Sequence, residues 1–410
     1  MSANRTAIFN HGRGKQRGAA LLIMLVLLVV GVAVVLINSL TSSTVKTARQ
    51  EKTAASLAQA KDALIGYAMT YGDTHSNQVH GYLPCPDRSG GNPEGSAEPS
   101  CGSQDVSVIG RLPWATLDLS TLRDGDGECL WYAVSGSYKN NPKTGLMNWD
   151  TNGQFQVYAS DGTLLTPPDN QAVAVIFASG AAQSGQDRSG TTAPVCDGNY
   201  TAANYLDNDT LHSINNADIT TGKFIQPHVH RDANNNIILT VNDQMIFITR
   251  QDIWNAIKKR NDLGAFVSTL LSTTATNLAA LPSPVTINFN NTPPTESGFA
   301  TAGTLKIGRV PKLYINPPWG NWQDNLLYAT CSGGCLTVNG ASCSGVVIFS
   351  GERNASQTRI TNADKNTLGN YLEDTPNANL TAFTGGASFS GASPFSAASP
   401  STDILAACIP

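Results

Sequence analysis

Charged side chains are scarce in this chain: Asp, Glu, Lys and Arg make up 14% of its residues, against about 25% in an average soluble domain. The formal net charge is −4, so no basic excess favours binding to nucleic acid or to an anionic lipid surface. Serine, threonine, asparagine and glycine are abundant instead, which is typical of exported proteins. The 410 residues are enough for two or more domains.

Motifs of common catalytic centres are also missing. The chain contains no G-x-S-x-G elbow, no H-E-x-x-H pair and no phosphate-binding loop. We therefore expect no enzyme activity and no catalytic residue, with an anchored exported hydrolase as the alternative.

Among six histidines, His228 and His230 share one face of a predicted strand and could bind a metal. The sequence reveals no third ligand for them.

An apolar run without any charge lies near the N-terminus. Residues 19–37 read AALLIMLVLLVVGVAVVLI, and a helix of this length spans about 28 Å, close to the hydrocarbon thickness of a bilayer. The apolar core of a cleaved secretion signal is shorter, at about 7–15 residues. All charged residues that precede the run are basic, namely Arg5, Arg13, Lys15 and Arg17. This predicts a single pass with a cytoplasmic N-terminus.

Helical spacing continues beyond the apolar run. Residues 41–72 contain no proline, and no glycine before Gly66, and their apolar residues recur at near-helical intervals. We expect one helix over 19–72, of which 19–37 spans the membrane and the remainder is amphipathic.

The sequence Lys15-Gln16-Arg17-Gly18, followed directly by this helix, resembles the start of type IV pilins and type II secretion pseudopilins. The resemblance implies that a prepilin peptidase of the inner membrane removes the leader 1–18 by cutting after Gly18, and that the new N-terminal Ala19 is methylated. It also implies that the helix first anchors the chain and then packs against other pilin or pseudopilin subunits, with the bulk of the chain periplasmic or extracellular.

One position departs from the pattern of major pilins. They carry a glutamate at the fifth residue after the cut, where this chain has Ile23. In this respect the chain is similar to the minor subunits of filament tips. The resemblance thus implies a structural minor pilin or pseudopilin. Two alternatives stay open: a tip adhesin or substrate-binding module of the same architecture, and a plain single-pass anchored exported protein.

Cysteines are even in number and all follow the predicted helix, which indicates disulfides in an oxidising compartment. We expect Cys85–Cys101, because the residues between them read as a Gly/Pro/Ser loop, and Cys129–Cys196. The other pairings stay open, and zinc ligation by Cys331, Cys335 and Cys343 is an alternative. The eight residues are Cys85, Cys101, Cys129, Cys196, Cys331, Cys335, Cys343 and Cys408.

Four short matches recur in the same order in two stretches of the remaining chain, which indicates an internal repeat. The first stretch contains GRLP (110–113), LWYAVSG (130–136), VIF (175–177) and NYLD (204–207). The second contains GRVP (308–311), LLYAT (326–330), VIF (347–349) and NYLE (370–373). The preserved order predicts two related β units in which Tyr132 corresponds to Tyr328, and Phe177 to Phe349.

Two further local predictions concern single segments. Residues 243–249 are predicted as a strand and 250–260 as a helix, with Thr249 as N-cap and Asp252 in the first turn. The stretch DGDGE (124–128) alternates carboxylates with glycines, as loop-type calcium sites do. Calcium binding is therefore one interpretation of this loop and a solvated turn is the other; the candidate ligands are Asp124, Asp126 and Glu128.

The expected fold class is α+β, with a long N-terminal helix followed by a β-rich exported region that contains an internal duplication. Composition adds a Thr/Ser/Pro/Asn-rich linker and a Gly/Ser/Ala/Pro-rich tail. The predicted divisions are the leader 1–18, the helix 19–72, the first β unit 73–265, the linker or long loop 266–303, the second β unit 304–376 and the low-complexity tail 377–410.

Overall fold

The fold combines helices with several small, mostly antiparallel sheets, so the predicted α+β class is confirmed. The computed structural model describes residues 17–89, 91–280, 298–302, 305–331, 333–372, 387–389 and 405–409, and gives the backbone alone for 17–42, 298–302, 362 and 387–388. Its helices are α1 (Arg17–Thr74), α2 (Arg250–Ile257), α3 (Leu263–Ala279) and the single-turn α4 (Asn362–Lys365).

Membrane crossing was predicted for residues 19–37. Among the residues whose side chains are described, no helix has the length and apolar character that such a crossing needs. The predicted span itself lies outside those residues.

Strands make up most of the remaining regular structure. In chain order they are β1 (Val108–Arg111), β2 (Trp131–Val134), β3 (Gln156–Tyr158), β4 (Ala172–Ala178), β5 (Asn208–Asp209), β6 (Ile214–Asn215), β7 (Lys223–Ile225), β8 (His228–Arg231), β9 (Ile237–Val241), β10 (Gln244–Thr249), β11 (Gly298–Ala302), β12 (Leu305–Arg309), β13 (Leu326–Cys331), β14 (Leu336–Val338), β15 (Ala341–Cys343), β16 (Gly345–Phe349), β17 (Ala387–Phe389) and β18 (Leu405–Ile409).

Two antiparallel sheets dominate the topology. One has the strand order β1-β2-β4-β10 and the other the order β11-β12-β13-β16-β18. Smaller sheets pair β3 with β7, β5 with β6 and β8 with β9, and place β14 between β15 and β17. Residues from Thr53 onward form one compact unit, so both predicted β units lie in the same body.

The last third of α1 packs into the main apolar core of this body. Its residues Leu57, Ala60, Leu64, Ala68 and Tyr71 recur at helical spacing and are all buried. Residues of both large sheets complete the same cluster, including Tyr132, Tyr328, Val347 and Phe349. Both sheets therefore cover one core together with the helix.

The register of the two sheets corrects one predicted equivalence. Tyr132 pairs with Ile176, and Tyr328 pairs with Val347, so Phe177 occupies the position of Ile348. Phe349 lies one residue further along and faces the main core, whereas Phe177 packs in a different apolar cluster. The predicted match of Phe177 with Phe349 is therefore wrong, because a slip of one residue moves a strand side chain to the other face.

The predicted strand–helix pair at 243–260 is confirmed. Strand β10 leads directly into α2, where the Thr249 side chain accepts from the Asp252 N–H and the Asp252 carboxylate accepts from the Thr249 N–H. This reciprocal capping box satisfies two N–H groups that the first helical turn cannot. The helix ends earlier than predicted, at Ile257.

Helix α3 contradicts the prediction that 266–303 is a linker or long loop. Residues up to Ala279 are helical, and Val267, Leu270, Leu271 and Leu278 form a buried stripe on that helix. Composition misled the prediction because hydroxyl side chains can bond the carbonyl four residues earlier without ending a helix. Such bonds run from Thr269, Thr274 and Thr276. Residues 281–297 of the predicted linker lie outside the described residues.

The predicted tail 377–410 also contains regular structure. Strand β18 pairs antiparallel with β16 at the edge of the larger sheet, and β17 pairs parallel with β14. The apolar sequence of β18 outweighs the Gly/Ser-rich composition around it, since Leu405 and Ile409 are buried in the main core. Residues 377–386, 390–404 and 410 of the predicted tail lie outside the described residues.

All eight cysteines are paired in disulfides. The predicted pairs Cys85–Cys101 and Cys129–Cys196 are confirmed. The remaining bonds are Cys331–Cys335 and Cys343–Cys408. Zinc ligation by Cys331, Cys335 and Cys343 is therefore wrong, because a metal-binding cysteine must be a free thiolate.

Candidate functional site

The predicted processing site lies at the start of α1. The helix begins at Arg17, directly before Gly18 and Ala19, for which the backbone alone is described. Cleavage after Gly18 and methylation of Ala19 stay predictions.

The acidic loop 124–128 holds its carboxylates in separate contacts. Asp124 is buried; its Oδ1 accepts from the N–H groups of Asp126 and Glu128, each at 2.9 Å, and its Oδ2 accepts from the Gly180 N–H at 2.9 Å. Glu128 instead forms an ion pair with Arg188 at 3.2 Å. These contacts are those of a structural turn before β2. Calcium binding by Asp124, Asp126 and Glu128 stays a prediction, and would require Asp124 to exchange backbone donors for the ion.

A different group of side chains converges at the ends of short strands. Asp209 closes β5, His212 lies in the turn before β6, and His228 opens β8. The Asp209 Oδ2 atom lies 2.5 Å from His212 Nδ1 and 3.5 Å from His228 Nε2. The three ligand atoms all lie within 4.8 Å of one another. This group of one carboxylate and two imidazoles is a candidate metal centre.

Surrounding contacts fix the orientation of the ligand atoms. Asp209 is fully buried, and its second oxygen, Oδ1, accepts from the N–H groups of Leu211 at 2.8 Å and His212 at 3.3 Å. His228 Nδ1 lies 3.0 Å from the carbonyl oxygen of Gln226. Because a carbonyl can only accept, Nδ1 carries the proton and the lone pair of a neutral ring lies on Nε2. That Nε2 atom is buried and has no hydrogen-bond partner among the described residues.

Sequence reasoning found one member of this group. It paired His228 with His230, which lies on the same face of β8 but outside the cluster. Asp209 and His212 were missed because the topology, not the spacing along the chain, brings β5 and the turn after it next to β8. The available signal was the D-x-x-H spacing of Asp209 and His212.

A second titratable group lies where α1 ends near α3. Arg260 binds Asp73 at 2.7 Å and Asp262 at 2.6 Å. These hydrogen bonds raise the pKa of Arg260 and lower that of Asp262. His80 lies nearby, and burial, followed by the charge of Arg260, lowers its pKa. Because Arg260 neutralises both carboxylates, this group is an ion-pair network.

The two large sheets carry matching clusters of arginine and tyrosine. Arg111 Nη2 donates to the hydroxyl of Tyr205 at 3.0 Å, and Arg188 lies over the same ring at 5.0 Å. Beside the second sheet, Arg309 Nη2 donates to the Tyr371 hydroxyl at 2.9 Å, and Arg359 lies over that ring at 4.5 Å.

Backbone contacts of the second arginine in each cluster also match. Arg188 donates to the carbonyls of Gly180 and Asn204, and Arg359 donates to those of Gly351 and Asn370. Sequence reasoning missed the pattern behind these contacts, which is S-G-x5-Q-x-R at 179–188 and 350–359.

The chain was compared with protein-family models, with characterised proteins and with solved structures. No family model matches it, and neither a characterised protein nor a solved structure does.

Proposed function

We propose that this chain is a structural minor pilin or pseudopilin, inserted in the inner membrane, cut after Gly18 and assembled into a type IV pilus or type II secretion pseudopilus, at its tip. The observation that carries the proposal is α1. This helix begins beside the expected cleavage point, and its last third is embedded in the core of a disulfide-linked α+β body. A helix that anchors the chain and packs into a filament must also be attached firmly to its exported domain, and these buried contacts provide that attachment.

The same proposal includes an internal duplication of the β-rich region. It is supported by the matching register of β1-β2-β4 and β12-β13-β16, in which Gly110 pairs with Tyr132 and Gly308 with Tyr328. The two arginine–tyrosine clusters support it independently, since their members occur in the same order along both stretches.

Two residues of the N-terminal segment give the proposal its mechanism. Gly18 has no side chain, which lets a peptidase approach the bond to Ala19 closely. Ile23 offers no carboxylate, so this subunit cannot neutralise the N-terminal amine of a neighbouring subunit. It would therefore initiate or cap a filament rather than extend it, with other pilin or pseudopilin subunits as partners.

Mass spectrometry of the N-terminal peptide tests the cleavage. We expect protein from its native membrane to begin at Ala19 with a methylated amine. The Gly18→Val variant should remain uncut, because the larger side chain blocks the scissile bond. Gly14→Val is the matched control in the same leader and should be cut normally. A wild-type chain that begins at Met1, or a Gly18→Val chain shortened by the mass of the leader, would contradict the proposal.

Electron microscopy tests the position in the filament. Expressed without other subunits, the chain should form no abundant filaments, because each added subunit would leave an N-terminal amine without a carboxylate. Abundant filaments made of this chain alone would rule out an initiating or capping role.

A further inference from the structure

We propose that Asp209, His212 and His228 form a binding site for a divalent transition-metal ion, and that the ion is Zn²⁺. This inference is independent of the proposed pilin role, since it rests only on the geometry of β5, β6 and β8.

The distances suit a tetrahedral ion after a small adjustment. Zinc bonds of about 2.0–2.2 Å to nitrogen and oxygen place neighbouring ligand atoms about 3.3 Å apart. The 3.5 Å between Asp209 Oδ2 and His228 Nε2 already has this size. His212 Nδ1 is closer to the carboxylate, at 2.5 Å, and must move away by about 0.8 Å to reach that spacing. Its side chain can do so because it lies in a turn and is 23% exposed.

The unpartnered nitrogen of His228 is the observation that points to a ligand. The side chain of this residue is only 9% exposed, and its Nε2 atom has no hydrogen bond among the described residues. Leaving a buried polar atom unpaired destabilises a folded protein. A metal at the common point of the three ligand atoms would remove that cost.

The outer contacts are those expected around metal ligands. Metal-binding imidazoles usually donate their second N–H to a carbonyl or carboxylate, which fixes the tautomer. His228 makes this contact with Gln226. The Oδ1 atom of Asp209 is held by two backbone N–H groups, so Oδ2 is oriented toward both histidines.

The ligand set selects the class of ion. Imidazole nitrogens favour zinc and its first-row neighbours, whereas calcium and magnesium prefer oxygen ligands alone. One carboxylate and two imidazoles therefore fit Zn²⁺ and not Ca²⁺. Three protein ligands leave a fourth position on the partly exposed His212 side for water.

The ion would cross-link two hairpins that have little core of their own. Asp209 and His212 belong to the β5–β6 hairpin, and His228 belongs to the β8–β9 hairpin. On the latter, Val229, Ile237 and Ile238 are 51–60% exposed, so few apolar contacts hold it in place. Isolated two-stranded hairpins are marginally stable in water, and a metal is one of the usual ways to hold such elements.

Metal titration of the full chain tests the inference. The protein, purified in mild detergent and stripped with a chelator, is dialysed against Zn²⁺, Co²⁺ or Ca²⁺, and bound metal is measured together with the thermal midpoint. We expect one Zn²⁺ per chain, the visible absorption of tetrahedral Co²⁺, a rise in midpoint with Zn²⁺, and no specific Ca²⁺ binding at this group.

Variants locate the binding. His212→Gln and His228→Gln should each weaken Zn²⁺ binding by more than about tenfold, since even outer-shell substitutions cost that much. His230→Gln is the matched control on the same face of β8 and should bind as the wild type does. His212→Gln keeps the test valid if the more buried His228→Gln fails to fold. No Zn²⁺ binding by the wild type, which would leave an ion pair alone, or equal binding by wild type and His212→Gln, would overturn the proposal.

Discussion

The guanidinium of Arg309 donates to the hydroxyl of Tyr371 at 2.9 Å, across 62 residues of chain. Arg111 and Tyr205 form the same bond at 3.0 Å across 94 residues. All four side chains are buried. Each bond joins the first and last matches of one sequence stretch, so the ends of each repeated unit are tied by a charge-assisted contact in a medium of low dielectric constant.

Removing either tyrosine hydroxyl should destabilise the protein. Tyr371→Phe and Tyr205→Phe keep the ring but remove one acceptor of a buried guanidinium, while the contacts of Arg309 with the Lys365 carbonyl and of Arg111 with the Asp197 and Asn199 carbonyls remain. Hydrogen bonds to charged groups contribute about 1.5–3 kcal/mol. We expect each variant to lose about that much free energy of unfolding in urea titrations. Tyr314→Phe is the control, because Tyr314 is bonded through its backbone carbonyl. Equal losses in all three variants would show that the hydroxyl bond to arginine is not the cause.

Asp150 and Arg359 form a buried ion pair between the two predicted β units. The Asp150 Oδ2 atom lies 3.0 Å from Arg359 Nη1, and the Asn325 amide donates to the same oxygen at 3.0 Å. Removing one partner of such a pair leaves an uncompensated charge and costs about 3–5 kcal/mol. Asp150→Asn should therefore lose about this much free energy of unfolding, whereas the exposed control Asp187→Asn should lose almost none. A loss for Asp150→Asn no larger than for the control would contradict the assignment.

The same pair predicts a pH dependence. Burial alone would raise the pKa of Asp150, but the guanidiniums of Arg359 and Arg353 outweigh it and hold the pKa below its ordinary value of 3.8. The pair therefore stabilises the fold above that value, and its contribution is lost as the pH falls through the lower folded-state pKa. The stability difference between wild type and Asp150→Asn should be constant near neutrality and shrink below pH ~4. A difference that persists unchanged to pH ~2 would contradict this origin.

Asp243 and Asp207 predict the opposite sign. Burial, and then the charge of Asp207, raise the pKa of Asp243 well above 3.8. Its contribution is thus fully present below the ordinary pKa and is lost as the pH rises through the folded-state value. Asp243→Asn cannot ionise, so its stability relative to wild type should increase as the pH rises above ~4 toward the raised folded-state pKa, by about 1.4 kcal/mol for each unit of raised pKa. Asp232→Asn, whose carboxylate is exposed, should show no such increase. If the stability difference between Asp243→Asn and wild type did not change with pH, the charge repulsion between Asp243 and Asp207 would not destabilise the fold.

Local chemistry explains which elements could be predicted from the sequence. The N-cap Thr249 with Asp252 three residues later is a self-contained signal, and α2 begins where that signal placed it. The loop between Cys85 and Cys101 is short enough for composition to suggest the bond. By contrast, α3 was hidden because its Ser and Thr residues resemble a linker in composition while its leucines supply the buried face.

Long-range geometry explains what could not be predicted. The match of Phe177 with Phe349 failed by a single residue because three-letter motifs do not determine strand register. The cluster of Asp209, His212 and His228 was hidden because it depends on the pairing of β5 with β6 and on the placement of β8, neither of which a spacing rule contains. The S-G-x5-Q-x-R repeat was visible in the sequence, but only the contacts of Arg188 and Arg359 give its spacing a meaning.

The two disulfides near the C-terminus should differ in how much they stabilise the fold. Cys343–Cys408 joins residues 65 apart and links β15 to β18, whereas Cys331–Cys335 joins residues only 4 apart. A cross-link removes more entropy from the unfolded chain when its loop is longer, which gives about 4 kcal/mol for the first bond and about 2 kcal/mol for the second. We therefore expect the double variant Cys343→Ala/Cys408→Ala to lose about twice as much free energy of unfolding as Cys331→Ala/Cys335→Ala. Urea titration of both variants under non-reducing conditions checks this, with equal losses, or a larger loss from the short loop, as the contradicting result.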